Sequence, residues 1–215
     1  MTDEAAGRDG PARDAILDAA EELFARQGFP GTTIKQIGAA AGVNPALLYY
    51  YFGNKEALYR ELLTRLFSRI ASTGTDRLAA ARTPDEAVRV VIALQSEVMR
   101  AHPSIPRLLS RELADSGAAH AQEGITQLAV TVFARLCAMI EEGQRAGIFR
   151  ADMDARFAAV STVSLIPWFH VARPAVAILL GTEGGPSPEQ MEAYGRHAAE
   201  FALAALTAPR PGEKR

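Results

Sequence analysis

The sequence predicts an all-helical protein, on three observations. Alanine and leucine are abundant, apolar residues recur at spacings of three and four almost from end to end, and no stretch alternates with the period of two that a half-buried strand requires. The chain has 215 residues, 48% hydrophobic and 22% charged, with a net charge of −2, which is the balance of a soluble globular protein. That balance excludes attachment to nucleic acid or lipid by bulk charge alone. The single cysteine, Cys137, allows neither an internal disulfide nor a cysteine metal cage, so a cytoplasmic location is expected.

Residues 1 to 10 are acidic and contain glycine, without the apolar run of a signal peptide, and are expected to form an irregular tail. The first helix is predicted from about Ala12 to Gln27. Ile16, Ala20, Leu23 and Phe24 form its apolar stripe, Asp18, Glu21 and Glu22 lie off it, and Gly28 ends it. Two short helices follow. Thr33 and Gln36 fit a capping box, which starts a helix that ends near Gly42; Asn44 followed by Pro45 is a second helix start, running to Gly53. A longer helix begins at Asn54, carries Leu58, Leu62, Leu63, Leu66, Phe67 and Ile70, and weakens at Gly74. The remaining helices are predicted over about 84 to 101, 104 to 115, 120 to 146, 154 to 180 with bends at Pro167 and Pro174, and 187 to 207. The stretch from 157 to 181 is the most apolar, but Arg156, Pro167, His170, Arg173 and Pro174 flank or interrupt it. It therefore reads as buried helix and not as a bilayer span. The organisation that follows is a helical domain over 11 to 70, a larger helical domain over 71 to 208, and a frayed tail over 209 to 215.

The segment from Thr33 to Phe52 has the order of a helix-turn-helix: a short helix, a turn with glycine, and a second short helix. Leu48 and Phe52, four apart, must face inward, which turns Ala46, Leu47, Tyr49 and Tyr50 to the outside or the rim. The run Tyr49, Tyr50 and Tyr51 exceeds what a core needs. Phenol hydroxyls can donate to phosphate oxygens while the rings pack on sugars and thymine methyls, and the small Ala46 permits close approach to base edges. From Ala25 to Ile70 there are six basic residues against two acidic ones, a local basic patch within a chain that is not basic overall. Lys55, at the start of the fourth helix, stands where a phosphate would meet backbone donors.

The residues Ile16-Leu17-Asp18-Ala19-Ala20, Phe24, Gly28-Phe29, Thr32-Thr33-Ile34, Ile37 to Val43, and Leu48-Tyr49-Tyr50-Tyr51-Phe52-Gly53-Asn54-Lys55-Glu56-Ala57-Leu58 together resemble the N-terminal DNA-binding domain of the TetR family of transcriptional regulators. The resemblance implies a homodimeric repressor that binds a palindromic operator in double-stranded DNA and is released by a small-molecule effector held in the C-terminal domain. It carries the family's operator contacts onto Thr33, Asn44, Pro45, Ala46, Leu47, Tyr49, Tyr50, Tyr51 and Lys55. Leu47 and Tyr51 depart from the commonest pattern, with a small or polar residue frequent at the first position and histidine at the second. Both changes favour apolar contact over hydrogen-bond readout.

For the effector, large and adaptable side chains at Leu66, Phe67, Met99, Leu109, Phe133, Leu136, Met139, Trp168 and Phe169, with His102 and His170, are the candidate lining. The resemblance pairs the last two long helices with those of a second subunit. Ala159, Val163, Ala172, Val176 and Leu179, and Tyr194, Ala198, Phe201, Ala202, Ala205 and Leu206, are the residues that suit such a contact. No cofactor or metal is expected: His102, His120, His170 and His197 have no metal-ligand spacing, and there is no strand to precede a phosphate loop, so the sequence does not read as an enzyme. The alternative reading is a helical protein-interaction adaptor that has lost DNA binding.

Overall fold

The apolar spacing is answered by helices throughout. The computed structural model describes residues 3–207; the predicted frayed tail over 209 to 215 lies outside the described residues. In chain order the helices are α1 (Asp3–Gly31), α2 (Ile34–Ala41), α3 (Pro45–Phe52), α4 (Lys55–Ala80), α5 (Pro84–Ala101), α6 (Ser104–Ser116), α7 (Gln122–Leu128), a π-helical turn (Ala129–Phe133), α8 (Ala134–Arg145), α9 (Ala155–Val171), α10 (Arg173–Leu180) and α11 (Pro188–Leu206). The described residues contain no strand, only an isolated bridge between Phe149 and Thr207. α1 starts at Asp3, so the irregular tail expected over residues 1 to 10 is helical from that point.

The chain forms two compact units. One comprises residues 1–68 and 103–125, the other residues 69–102 and 126–215. The first division, after Ser68, lies beside the boundary expected near residue 70, and α6 with the start of α7 groups with the first unit.

In the first unit Ile16, Leu17, Ala20 and Phe24 of α1 are buried with Ile37, Leu48, Leu58, Tyr59, Leu62 and Leu63. α6 lies along α1 and contributes Ile105 and Leu108 to this core. Its Ser104 hydroxyl donates to Glu21. Gly28 takes φ 74° and ψ 171°, which breaks α1 where the sequence predicts its end.

In the second unit α5 packs on α8, α9 and α11. Val88, Val91, Ile92, Leu136, Ile140, Ala159, Ile166, Phe169 and Leu206 form its interior. Gly143 is required by a close approach, because a Cβ there would stand 2.5 Å from the Phe149 ring. Gln122–Arg145 is long and apolar enough to cross a bilayer by length and composition, although it is not the stretch that the sequence marks as most apolar. Val132, Leu136, Met139 and Ile140 of that helix are buried within the unit.

The single bent helix predicted over 154 to 180 is two helices, α9 and α10, bent by 83° at Ala172. The two prolines behave differently. Pro174 sits in the first turn of α10, where a missing N–H costs nothing. Pro167 stays inside α9, and the carbonyl it deprives of a partner, that of Val163, accepts instead from Gln95 Nε2 of α5 at 2.9 Å. A donor from a neighbouring helix thus replaces the lost backbone bond, and α9 continues. Gln95→Leu should destabilise the protein by ~1 kcal/mol, and Pro167→Ala should recover much of that loss by restoring the backbone N–H. Urea unfolding of both single variants and of the double variant measures the recovery.

Candidate nucleic-acid interface

α2 and α3 have eight residues each, too few to hold as isolated helices, so their ends decide whether they form. Thr33 caps α2 as predicted: its Oγ1 accepts from Gln36 N at 3.2 Å, and Gln36 Oε1 accepts from Thr33 N at 2.8 Å. Gly42 ends α2 in the left-handed region, and Val43 N donates to Gly38 O at 2.9 Å. Gly38 is buried under the next helix, where a Cβ would meet Val43 O at 3.1 Å and Pro45 Cγ at 3.3 Å. Asn44 Oδ1 then accepts from Ala46 N at 2.9 Å, with Pro45 in the first turn of α3. Each cap that the sequence predicts is present.

α3 divides its residues as the four-residue spacing requires. Leu48 and Phe52 are buried, while Tyr49 and Tyr50 are 56% and 73% exposed. The Tyr50 and Tyr51 rings meet edge to face at 5.1 Å, and Tyr51 in turn meets Phe52 at 6.2 Å. Ala46 is exposed and Leu47 half-buried at the rim. The structure thus brings Thr33, Asn44, Pro45, Ala46, Leu47, Tyr49, Tyr50 and Tyr51 together on two short helices and their turn.

Lys55 opens α4 as the sequence predicts, and its ammonium turns to the backbone of the preceding corner. Its ammonium donates to Phe29 O at 2.8 Å and Thr32 O at 2.9 Å, and lies 4.3 Å from the centre of the Phe29 ring. Two of its three donors are therefore committed to the corner between α1 and α2. The same corner takes in residues that sequence reasoning missed. The buried Thr32 hydroxyl donates to Gly28 O at 2.8 Å, and Arg111 of α6 donates to Arg26 O at 3.1 Å. Phe29 also meets Tyr59 at 5.2 Å and His120 at 5.1 Å. Nothing in the local pattern announces Arg111 or His120, since each lies more than a domain's helices away in sequence.

His120 is held by Glu112, a carboxylate only 3% exposed. It accepts from His120 N at 2.7 Å and Ser116 Oγ at 2.6 Å, and its other oxygen lies 3.2 Å from His120 Nδ1. Burial pushes the Glu112 pKa up, but these hydrogen bonds from Ser116 and His120 outweigh it and hold the carboxyl below its ordinary value. Burial and the neighbouring Glu112 charge push the Tyr59 hydroxyl well above the usual tyrosine range.

With the geometry in place, the comparisons decide the family. Residues 16–62 match the family model for bacterial regulatory proteins of the tetR family, and residues 84–201 match that for a tetracyclin repressor-like C-terminal domain. The chain belongs to the TetR family. Among curated relatives it is 28% identical to the HTH-type transcriptional repressor NicS of Pseudomonas putida, over 80% of this chain and 81% of that protein. It is 30% identical to the HTH-type transcriptional regulator BetI of Rhizobium meliloti, over 77% and 79%. Among solved structures, the transcriptional regulator FadR from Bacillus subtilis, in complex with stearoyl-CoA, superposes with a TM-score of 0.72 at 18% identity, covering 89% of this chain and 98% of that one. This TetR-family chain is a DNA-binding transcriptional regulator, and α2–α3 is its helix-turn-helix.

The candidate effector lining is only partly gathered. Leu66, Phe67 and Leu109 fall in the first unit. Met99, Leu136, Met139 and Phe169 are buried in the second, with His102, Phe133 and His170 half-buried there. Phe169 stacks on Tyr194 at 3.9 Å and meets His170 at 6.0 Å. Burial and the Arg173 charge push the His170 pKa down, which favours the neutral imidazole. Trp168 is 55% exposed and does not belong to an interior lining. A groove of about 560 Å³ lies instead between α5 and α11, lined among others by Arg89, Glu97, Arg100, Glu192, Arg196 and Glu200, and it contains none of the candidate residues.

The Glu112 carboxylate gives the first unit an acid limit. With its pKa lowered on folding, its contribution is complete above the ordinary carboxylate value of 4.5 and is lost as pH falls through the lower folded value. Glu112→Gln should be less stable than the parent at pH 7 and converge towards it as pH falls below 4.5, as read by thermal unfolding across that range.

Proposed function

We propose that the protein is a homodimeric repressor whose α2–α3 heads read a palindromic operator and are withdrawn when a small effector binds the C-terminal unit. The observation that carries this reading is the capped α2–α3 pair itself. Two helices that need every cap to exist present tyrosines outward from a buried Leu48 and Phe52. In this reading Tyr49, Tyr50 and Tyr51 pack on sugars and thymine methyls and donate to phosphates, and Ala46 and Leu47 face base edges. Thr33, Asn44 and Pro45 bring the backbone to the phosphates. Two heads separated by one helical turn, about 34 to 36 Å, would enter successive major grooves. The chemistry takes place in the cytoplasm, where the operator is.

A second copy is proposed to cover the outer face of α9, α10 and α11. The helices are those the sequence nominates, and of the residues it names there Leu179 and Phe201 are exposed. Ala159, Val176, Ala198, Ala202 and Leu206 are interior residues of their own chain, whereas Phe157, Val160, Trp168, Ile178, Leu179, Leu180 and Phe201 are exposed. Phe157, Val160, Ser164 and Trp168 follow one another at spacings of three and four, which is one helix face. An apolar area of this kind on an otherwise polar surface marks an interface. The effector is proposed to be an uncharged or largely apolar molecule held among Met99, Leu136, Met139, Phe169 and His170. A neutral His170 can hydrogen-bond it without requiring a counter-charge. Such a ligand acts only through its preference for the conformer that does not bind DNA.

Fluorescence anisotropy against DNA from upstream of the protein's own gene, at two salt concentrations and with a shuffled duplex as control, tests the operator reading. Affinity about 10³-fold above the control, falling steeply with salt, is expected. Equal weak binding to both duplexes contradicts a reading head directed at that DNA. Tyr49→Ala should weaken the specific complex by ~1 to 3 kcal/mol without altering the oligomeric state. Trp168, the sole tryptophan, reports on the proposed dimer. Its emission should shift to the red on dilution as the subunits part, and Trp168→Glu should sediment as a monomer.

A further inference from the structure

We infer that Lys55 and Arg111 are positioning residues that complete the carboxyl end of α1 and so set the pose of the reading helices, and that the Lys55 ammonium is not a phosphate ligand. The inference rests on the reading of α2–α3 as a DNA-reading head and departs from the phosphate contact that the family resemblance carries to Lys55.

The last carbonyls of a helix have no intrahelical partner. From its break at Gly28 to its end at Gly31 α1 carries no basic residue, and Arg26 stands just before the break. Its chain leaves helical geometry at Gly28, and the carbonyls around that break need donors from elsewhere. Each finds one. Arg26 O accepts from Arg111, Gly28 O from the Thr32 hydroxyl, and Phe29 O and Thr32 O from the Lys55 ammonium. The two cations come from helices α6 and α4, which pack in the same unit as α1. Lys55 is itself at the amino end of α4, where a cation is disfavoured by the dipole. Its position is explained by the carbonyl end of α1, not by its own helix.

What the corner holds is the start of α2. Thr32, whose carbonyl Lys55 binds, precedes the Thr33 cap, and that cap is what allows an eight-residue helix to form. The Phe29 ring fixes the cation from above, and on its other contacts it meets Tyr59 of α4 and His120. Lys55 and Tyr59 are four apart on one face of α4, so both address the same ring. His120 is in turn oriented by the buried Glu112, one residue beyond Arg111. The α6–α7 segment therefore holds the corner twice, once through the Arg111 guanidinium and once through the His120 ring. Loosening either hold frees the α2 cap before it disturbs the interior around Leu58 and Leu62.

The test separates positioning from phosphate binding. Lys55→Met and Arg111→Met are prepared with the full chain, and two quantities are measured. The first is amide hydrogen exchange in the DNA-free protein. Exchange over residues 32 to 37 should quicken about 10-fold or more in both variants, with residues 136 to 140 of α8 unchanged. The second is the salt dependence of binding to a duplex selected by the parent protein from a random pool. Affinity should fall about 10-fold in Lys55→Met, while the slope of log affinity against log salt stays at the parent value. Loss of a phosphate contact would instead lower that slope by about 0.9. A reduced slope with unchanged exchange over residues 32 to 37 overturns the inference and returns Lys55 to the phosphates. Unchanged exchange in both variants also overturns it. Should Lys55→Met fail to fold, Arg111→Met carries the exchange measurement alone, since Arg111 is offered for no phosphate. If the parent selects no duplex, the DNA-reading assignment fails, and the exchange data still decide whether the two cations hold the corner.

Discussion

The end of α1 is the constraint on which the reading head depends. A helix that breaks at a glycine exposes carbonyls that must be satisfied, and several at the end of α1 accept from side chains beyond the helix. The donors are lent by Lys55, Thr32 and Arg111. Because the chain passes directly from these carbonyls into the Thr33 cap, the closure of one helix becomes the opening of the next. Capping energies of ~1 kcal/mol are small against a core, but α2 and α3 have little else to begin from. A corner made of such terms is firm enough to present two helices and weak enough to be moved.

The two units divide the work accordingly. The first contains the helix-turn-helix with α6 laid along α1, and the second contains α5, α8, α9 and α11 with an apolar interior. Membership of the TetR family fixes what the first unit is for. Its chemistry is positional: the tyrosines of α3 require no activated group, only a rigid base that keeps Leu48 and Phe52 inward. The second unit offers a neutral imidazole among apolar side chains and an uncovered face on α9 to α11. A small ligand and a second copy of the chain are the occupants proposed for these.

Local chemistry was legible in the sequence wherever a feature is made by residues close together. The Thr33 and Asn44 caps, the Gly42 turn and the inward pair Leu48 and Phe52 all follow from spacings of two to four. Features made by distant residues were not. Lys55 reads as a helix-start lysine until Phe29 and Thr32 are folded beside it. Pro167 reads as a bend until Gln95 supplies the missing donor from α5. Trp168 reads as lining because an apolar helix does not say which of its faces meets its own chain and which meets another. For the same reason the sequence offers Ala159 and Ala198, which are buried within their own chain, beside Leu179 and Phe201, which are exposed. The packing of α6 against α1, which groups residues 103–125 with the first unit, has no sequence signal of its own.

The central claim is that two α2–α3 heads of a dimer read one duplex together. Hydroxyl-radical footprinting of the protein on a duplex it selects tests this most directly, because it maps the protected sugars. The account predicts two protected half-sites on one face of the DNA, centred about one or a multiple of a helical turn apart. A single half-site, or protection spread evenly along the duplex, would contradict it.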